Sequence, residues 1–408
     1  MADFYQTGIV PTLHRLKPDS VERLEADLER FARSRPIGLV LPALIAEFES
    51  TAMQRIVKEL REVRYLQRIV LALGRATAEQ YQHVRGLFRD FYTPVTVLHV
   101  ESPRTQALLR MLEERGLSAG PDGKGRSCWL SYGLILAYGD CDVIALHDCD
   151  IVNYDRQLLA RLCFPVVHPN LGFEFCKGYY ARVTDRMHGR VTRLFFTPLI
   201  RSMMGMAPGT TFLTFLDSFR YGLAGEFAMN VNLARVNRIP ADWGLEVGVL
   251  AEVFRNCGVA RTCQVDLLDN YEHKHQDLSA GDPAKGLSKM AADIAKSLFR
   301  TVASEGVVFT TEHFRSLEVR YVRMAQDMIA RHYADAMLNG LKFDRHSEEV
   351  AVNTFARSLR RAAEEFLEDP LGVPPIPNWN RILSAIPEFF DLLMDAVAKD
   401  TRQPAPVA

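Results

Sequence analysis

Asp148 and Asp150 stand one residue apart in "VIALHDCDIV", residues 143–152, directly after an apolar run. In an extended segment alternate side chains share a face, so two such carboxylates repel unless a positive charge lies between them. Mg2+ or Mn2+ meets that need, because both take carboxylate oxygens and leave positions open for substrate phosphate. A solvated loop accounts for an isolated Asp-x-Asp equally well. "GKGR", residues 123–126, sets Lys124 and Arg126 beside glycines that can present amides to a phosphate at a helix start. It lacks the full P-loop pattern, and a surface turn explains it as well. His273 and His275, in "NYEHKHQ", share a face if extended. They become a ligand set only with a third donor, which the acidic pair can supply. "GRVT", residues 189–192, offers an anion a guanidinium fork, a hydroxyl and backbone amides, or is a turn entering a helix. Glu246, inside apolar "GLEVGVL", is either a helix residue with a satisfied partner or a carboxylate for sugar hydroxyls.

These residues need a scaffold, and the periodicity supplies one. "KPDSVERLEADLERFARSRP" reads as an amphipathic helix capped by Asp19 or Ser20 and closed by Pro36. "IGLVLPAL" follows as a short buried strand ending in a proline turn, and "STAMQRIVKELREV" returns to helix. "RIVLALG", "PVTVLHV" and "CDVIALHDCD" read as further strands, separated by the helix "AEQYQHVRGLFRDF" and two helical stretches over residues 104–139. Such alternation implies an α/β fold with a mainly parallel, Rossmann-like sheet flanked by helices. Ligands of such sheets sit beyond the carboxyl ends of the strands, which puts "LPAL" and "HDCD" on one rim. Strand-like "FEFCKGYYARV" and "RTCQVDLLD" belong to a less regular second half. The expected organisation is a catalytic domain over residues 1–280, with a nucleotide half at about 36–150 and an acceptor half at about 151–280. A helical C-terminal region over 281–400 and a disordered tail at 401–408 complete it. "RILSAIPEFFDLLMDAVAKD" reads as one last helix, and the stripe Leu317, Val319, Val322, Ala325, Met328 and Ile329 reads as a subunit contact or as internal packing.

The 408 residues carry 49 Lys and Arg against 50 Asp and Glu, a balance without the global field that marks nucleic-acid or anionic-membrane binders. Seven scattered cysteines without CxxC spacing fit reduced, buried thiols rather than a disulfide framework. No apolar stretch approaches the ~20 residues of a membrane span, and "MADFYQTGIVPTLHRL" has no leader pattern. A soluble, cytoplasmic protein is the expectation.

Taken together, "LPAL", "GKGR", "ALHDCDI", "EFCKGYYARV", "GRVT", "LAGEF", "DWGLEVGVL" and the run from "QVDLLDNYEHKHQ" resemble the bacterial glucosyl-3-phosphoglycerate synthases. These are retaining glycosyltransferases of the GT-A fold. The resemblance covers most of the chain. It implies that Pro42, Ala43, Leu44 and Glu47 line the uracil and ribose pocket, with Lys124 approaching the nucleotide. Asp150 would hold the cation directly, Asp148 would lie nearer the ribose, and His273 would be the protein's other metal ligand. Gly225 and Glu226 of "LAGEF" would lie close to the sugar, Trp243 would contact the donor, and Glu246 would point at the hexose. Gly189, Arg190, Val191 and Thr192 would receive the acceptor's phosphate and carboxylate, with His275 nearby. Two departures stand out: Tyr271 and His275 occupy places where some relatives carry Arg and Asn, and the loop after "RIVLALG" lacks the Ser or Asp expected near the nucleotide.

The implied reaction moves glucose from UDP-glucose to the 2-hydroxyl of 3-phosphoglycerate, with Mg2+ or Mn2+ as cofactor. The product glucosyl-3-phosphoglycerate would lead toward glucosylglycerate as a compatible solute or toward a glycan primer, and the enzyme is expected to be a homodimer. No carboxylate in the sequence stands out as a covalent nucleophile, so the family's front-face attack is the expected route to retention. A mannosyl enzyme using GDP-mannose, an inactive nucleotide-binding regulatory protein and a metal-dependent phosphoesterase remain as alternatives.

Overall fold

Continuous apolar runs in the central strands build one eight-stranded sheet with a core on each face. The structure is a computed structural model and describes residue 6 and residues 8–17, 20–272, 278, 282 and 285–402. In chain order the strands are β1 (Thr12–Leu13), β2 (Ile37–Leu44), β3 (Leu66–Gly74), β4 (Val95–His99), β5 (Val143–Leu146), β6 (Phe175–Tyr180), β7 (Phe227–Asn230) and β8 (Thr262–Leu268). Their order across the sheet is β1-β8-β6-β7-β5-β2-β3-β4. Only β7 runs antiparallel to its neighbours, β5 and β6. Successive side chains point to opposite faces. Val40, Val70 and Leu146 therefore enter the core beneath the helix Lys124–Tyr138 and the C-terminal helices. Leu39, Leu41 and Ala145 enter the core beneath the helices Val21–Phe31, Thr51–Arg61 and Arg156–Val167.

Two features of this topology place the site. The chain moves outward from β2 to β3 and β4, then returns to lay β5 on the other side of β2. The crevice of an open sheet lies at such a reversal, outside the carboxyl ends of the two strands. The last residues of β2, 42–44, and the segments 45–49 and 147–150 that leave the sheet lie there. Because β7 is antiparallel, with Phe227 opposite Leu146 and Lys177, its entry segment 223–226 meets the same rim.

Several sequence expectations change. "IGLVLPAL" does not end in a proline turn: Pro42 lies within β2, in register with Ala72 of β3. The pairing of β2 with β5 stops at Val40, so the missing N–H of Pro42 comes where one ladder has already ended. Ser20 caps the helix Val21–Phe31 by accepting from the Arg23 N–H at 3.3 Å; Asp19 lies outside the described residues. The expected last helix is two, Trp379–Ala385 and Phe389–Arg402. Pro387 separates them, and the residue before it, Ile386, is forced out of helical geometry to φ −139°, ψ 81°. Thr401 and Arg402 finish the second of these helices, while residues 403–408 lie outside the described residues. The stripe on the helix Thr311–Leu338 is largely spent inside the chain: Leu317, Ala325, Met328 and Ile329 are buried, and Val319 alone among its members is strongly exposed. No helix among the described residues is long and apolar enough to cross a membrane.

Candidate active site

A cleft of about 920 Å³ opens over the rim. Its walls include Pro42, Ala43, Leu44 and Glu47 from the end of β2, Asp148 and Asp150 from the end of β5, and Lys124 from the start of its helix. Gly225, Trp243 and Glu246 face them, and Gly189, Arg190, Val191 and Thr192 form a further wall. The residues expected for donor, metal and acceptor thus share one cavity, with three exceptions. His273 and His275 lie outside the described residues. Glu226 is fully buried and does not line the cleft.

Lys124 is the electrostatic centre of the wall that carries Asp148 and Glu246. Its Nζ lies 2.6 Å from Asp148 Oδ1 and 3.1 Å from Glu246 Oε1. Burial works against its charge, but the two carboxylates outweigh that and hold its pKa well above the ordinary lysine value. Arg126 faces elsewhere: it pairs with Asp122 at 2.8 Å and donates to the Gly120 carbonyl at 3.3 Å. Of the two cations in "GKGR", only Lys124 reaches the cleft.

Close approach requires glycine at 225. A Cβ there would stand 2.4 Å from Asp148 Oδ2, so any side chain displaces that carboxylate. Next to it, Glu226 accepts from Tyr271 Oη at 2.6 Å and Tyr180 Oη at 2.7 Å. The two tyrosine rings stack 3.8 Å apart and nearly parallel, and they, not Glu226, face the cavity. Burial, then the charge of Asp148, raises the Glu226 carboxyl above its usual range against the two hydroxyl bonds. Glu226 therefore supports the wall from behind instead of touching a sugar. Lys177 lies fully buried in the same layer, donates to the Ala224 carbonyl at 2.6 Å, and is brought down to about 8 by burial. Tyr180 and this lysine were not anticipated as part of the site, and Tyr271 was noted only as a departure from relatives that carry Arg at its place. The strand alternation of "FEFCKGYY" carried the signal for Lys177, since it shares a face with buried Phe175.

The acidic side suits a hard divalent cation. Burial, then the neighbouring Asp150 carboxylate, pushes the Glu47 carboxyl up to about 7, although Glu47 Oε2 accepts the Leu44 N–H at 3.1 Å. The carboxylates of Glu47, Asp148 and Asp150 line one cleft, and such oxygen donors fit Mg2+ or Mn2+. Among the described residues no three His, Cys, Asp or Glu side chains form a closed metal site. The segment leading toward His273 is nonetheless pinned beside the acidic loop. Val152 N–H donates to the Glu272 carbonyl at 2.7 Å, and Glu272 N–H donates to Asn153 Oδ1 at 3.0 Å. After "RIVLALG", where Ser or Asp was expected, Arg75 lines the cleft at φ 58°, its N–H donating to Glu101 Oε1 at 2.7 Å.

The backbone under Asp148 is held by its neighbour. Fully buried His147 bonds through Nδ1 to the Asp148 carbonyl at 2.9 Å and through Nε2 to the Tyr154 hydroxyl at 3.2 Å. A carbonyl only accepts, so Nδ1 carries the proton and neutral Nε2 accepts from the tyrosine. Burial lowers the His147 pKa to about 4. The unfolded chain binds a proton below about 6.5 that the folded chain refuses until about 4. His147 therefore contributes stability above pH 6.5 that disappears as pH falls toward 4, roughly 3 kcal/mol in all. Urea unfolding from pH 7 to pH 4 should show this slope reduced in His147→Gln; an identical slope in the variant refutes the assignment.

On the further wall, Gly189 (φ 74°) turns the chain into a helical segment beginning with Arg190 and Val191, so "GRVT" is a turn entering a helix as well as a cleft wall. Arg190 Nε lies 3.0 Å from Glu348 Oε1, a contact the sequence did not suggest. Arg182 also lines this side and donates to Tyr221 Oη at 3.0 Å.

No family model matches the chain. The sheet and its cleft define the GT-A fold. The structure of mannosyl-3-phosphoglycerate synthase from Rubrobacter xylanophilus shares the fold at TM-score 0.54 and 20% identity, over 74% of this chain and 83% of that one. Glucosyl-3-phosphoglycerate synthase from Mycobacterium tuberculosis, solved with Mn2+, UDP and glucosyl-3-phosphoglycerate, does so at TM-score 0.51 and 20% identity, over 74% and 89%. Likeness at that level establishes the fold alone. The sequence goes further: it is 50% identical over 400 residues to glucosyl-3-phosphoglycerate synthase of Persephonella marina, covering 98% of this chain and 99% of that protein. The chain belongs to the glucosyl-3-phosphoglycerate synthase family.

Proposed function

We propose that this chain transfers glucose, with retention, from UDP-glucose to the 2-hydroxyl of 3-phosphoglycerate. The observation that carries the reading is that one cleft joins the Asp148–Asp150 doublet to the cationic wall 186–192. A bound Mg2+ or Mn2+ supplies charge neutralisation at the donor diphosphate. Asp150 and His273 would hold it, with Asp148 nearer the ribose. Pro42, Ala43 and Leu44 offer an apolar slot for the uracil, with Glu47 at its edge. Lys124 can exchange a carboxylate partner for a phosphate oxygen, which frees Glu246 for hexose hydroxyls. Trp243, 38% exposed, offers an aromatic edge to the sugar or diphosphate. Arg190, Thr192 and the amide of Gly189 receive the two anionic groups of the acceptor, with His275 assigned to the same side. The attacking hydroxyl then gives its proton to the departing phosphate on the same face of the sugar.

Incubating the enzyme and Mg2+ with 3-phosphoglycerate and either UDP-glucose or GDP-mannose, then weighing the product, tests the donor. Glucosyl-3-phosphoglycerate from UDP-glucose is expected. A product only from GDP-mannose, or none with either donor, overturns the proposal. The reading includes a cytoplasmic homodimer in the route to a glucosylglycerate solute. All seven cysteines are buried and unpaired, as a reducing compartment favours. Light scattering that gives the mass of one chain would remove the dimer.

A further inference from the structure

Two arginines of "GRVTR" converge on one carboxylate supplied from 155 residues or more downstream. Glu348, buried in the first turn of the helix Arg345–Glu368, places Oε1 3.0 Å from Arg190 Nε and Oε2 2.8 Å from Arg193 Nη1. The two arginines are otherwise unlike. Arg193 is nearly buried and spent, its Nε donating to the His188 carbonyl at 2.9 Å and Nη2 to the Met187 carbonyl at 3.4 Å. Arg190 is one-third exposed on the cleft wall, and Glu348 takes only its Nε, leaving the two terminal nitrogens of the fork for another anion.

The same C-terminal region holds the opposite end of this loop. Lys342 donates its backbone N–H to the Asp185 carbonyl at 2.8 Å and places Nζ 2.9 Å from Asp185 Oδ2. His332, close to Arg193 and Glu348, is kept neutral at the pH of the assay: burial, then the Arg193 charge, brings its pKa down to about 4. The Glu348 carboxyl group thus meets both guanidiniums, one through each oxygen.

We infer that Glu348 is a positioning residue for the acceptor: with Arg193 as strut, it fixes the Arg190 fork toward the cleft and so sets affinity for the doubly anionic acceptor. This rests on the acceptor role proposed above for Arg190. Two effects compete when the carboxylate is removed. The freed Arg190 regains the rotamer freedom of a long side chain, which weakens acceptor binding. The pocket also gains net positive charge, which strengthens it. Arg190 is partly exposed, so solvent screens the second effect, and loss of orientation wins.

The test is steady-state kinetics of Glu348→Gln and Glu348→Asp with UDP-glucose and 3-phosphoglycerate. In Glu348→Gln the acceptor KM should rise about tenfold or more, while the UDP-glucose KM stays within about twofold. Glu348→Asp, which keeps the charge, should recover part of the loss, and it is the variant read if the glutamine form does not fold. An acceptor KM that is unchanged or lower, or a donor KM that rises in step with it, overturns the inference. Wild-type enzyme without transfer to 3-phosphoglycerate would instead refute the function proposed above, so the two failures are separable.

Discussion

Asp150→Asn is expected to lower kcat/KM by at least about 10^3-fold, close to 4 kcal/mol of transition-state stabilisation, without unfolding the protein. Asn keeps the shape of the side chain and removes one unit of negative charge. In the proposed reaction that charge fixes the cation opposite the departing diphosphate, where charge develops as the anomeric bond breaks. Only interactions stronger in the transition state raise kcat, and this one strengthens as negative charge gathers on the leaving oxygen. Stability should hold or improve. The Asp150 carboxylate already crowds Glu47, whose own carboxyl is pushed up to about 7 by burial and then by that charge. Removing one of two neighbouring like charges relieves repulsion in the free protein. The measurement pairs kinetics at saturating Mg2+ with thermal unfolding. Activity within tenfold of wild type would sink the metal assignment, and lost activity with a lowered melting temperature would mean that Asp150 is structural.

Much of this scaffold was legible because parallel strands buried on both faces are written as continuous apolar runs. β2, β3 and β4 coincide with "IGLVLPAL", "RIVLALG" and "PVTVLHV" to within two residues, whereas β5 is only the Val143–Leu146 part of "CDVIALHDCD" and ends before the acidic doublet. β7 was not legible. "FAMN" is four residues long, and its antiparallel place between β5 and β6 is fixed by neighbours far away in sequence. That omission matters, because the reversed strand is what delivers Gly225 to Asp148 and sets Glu226 behind the tyrosine pair. The resemblance supplied the segment "LAGEF", but only the topology separates the glycine that touches the cleft from the glutamate that braces it. Glu348 shows a different limit. Nothing local in "RHSEEVAV" distinguishes that glutamate from its neighbour Glu349, and its role is created by a contact 158 residues back. Arg126 shows a local limit instead: it shares a motif with Lys124, yet its fork is spent on Asp122 and the Gly120 carbonyl close by in sequence, and it does not line the cleft.

Trp379→Ala should be the most damaging single change to stability, at about 3–5 kcal/mol. Trp379 is fully buried and stacks on Trp129 with centroids 4.0 Å apart. Its ring also lies where a Cβ on Gly133 would stand 2.3 Å away, so the indole rests directly on the backbone of the helix Lys124–Tyr138. The contacts around it tie the C-terminal segment to the catalytic sheet. Trp129 Nε1 donates to the Pro377 carbonyl at 2.9 Å, Asn378 Nδ2 donates to the Val236 carbonyl at 2.9 Å, and Ile376 N–H donates to the Ile239 carbonyl at 2.9 Å. Alanine would leave a void lined by Trp129, Phe389 and Phe390, too apolar to be filled by water. Phenylalanine should cost much less than alanine. It restores an aromatic face to Trp129, and it removes an indole N–H that has no hydrogen-bond partner among the described residues. Urea unfolding of both variants measures the difference as a change in midpoint at constant slope. A loss below about 1 kcal/mol for alanine would show that the segment from 376 onward is only loosely docked. Because Lys124 opens the helix on which Trp379 rests, the alanine variant should also weaken UDP-glucose binding, and the phenylalanine variant should not.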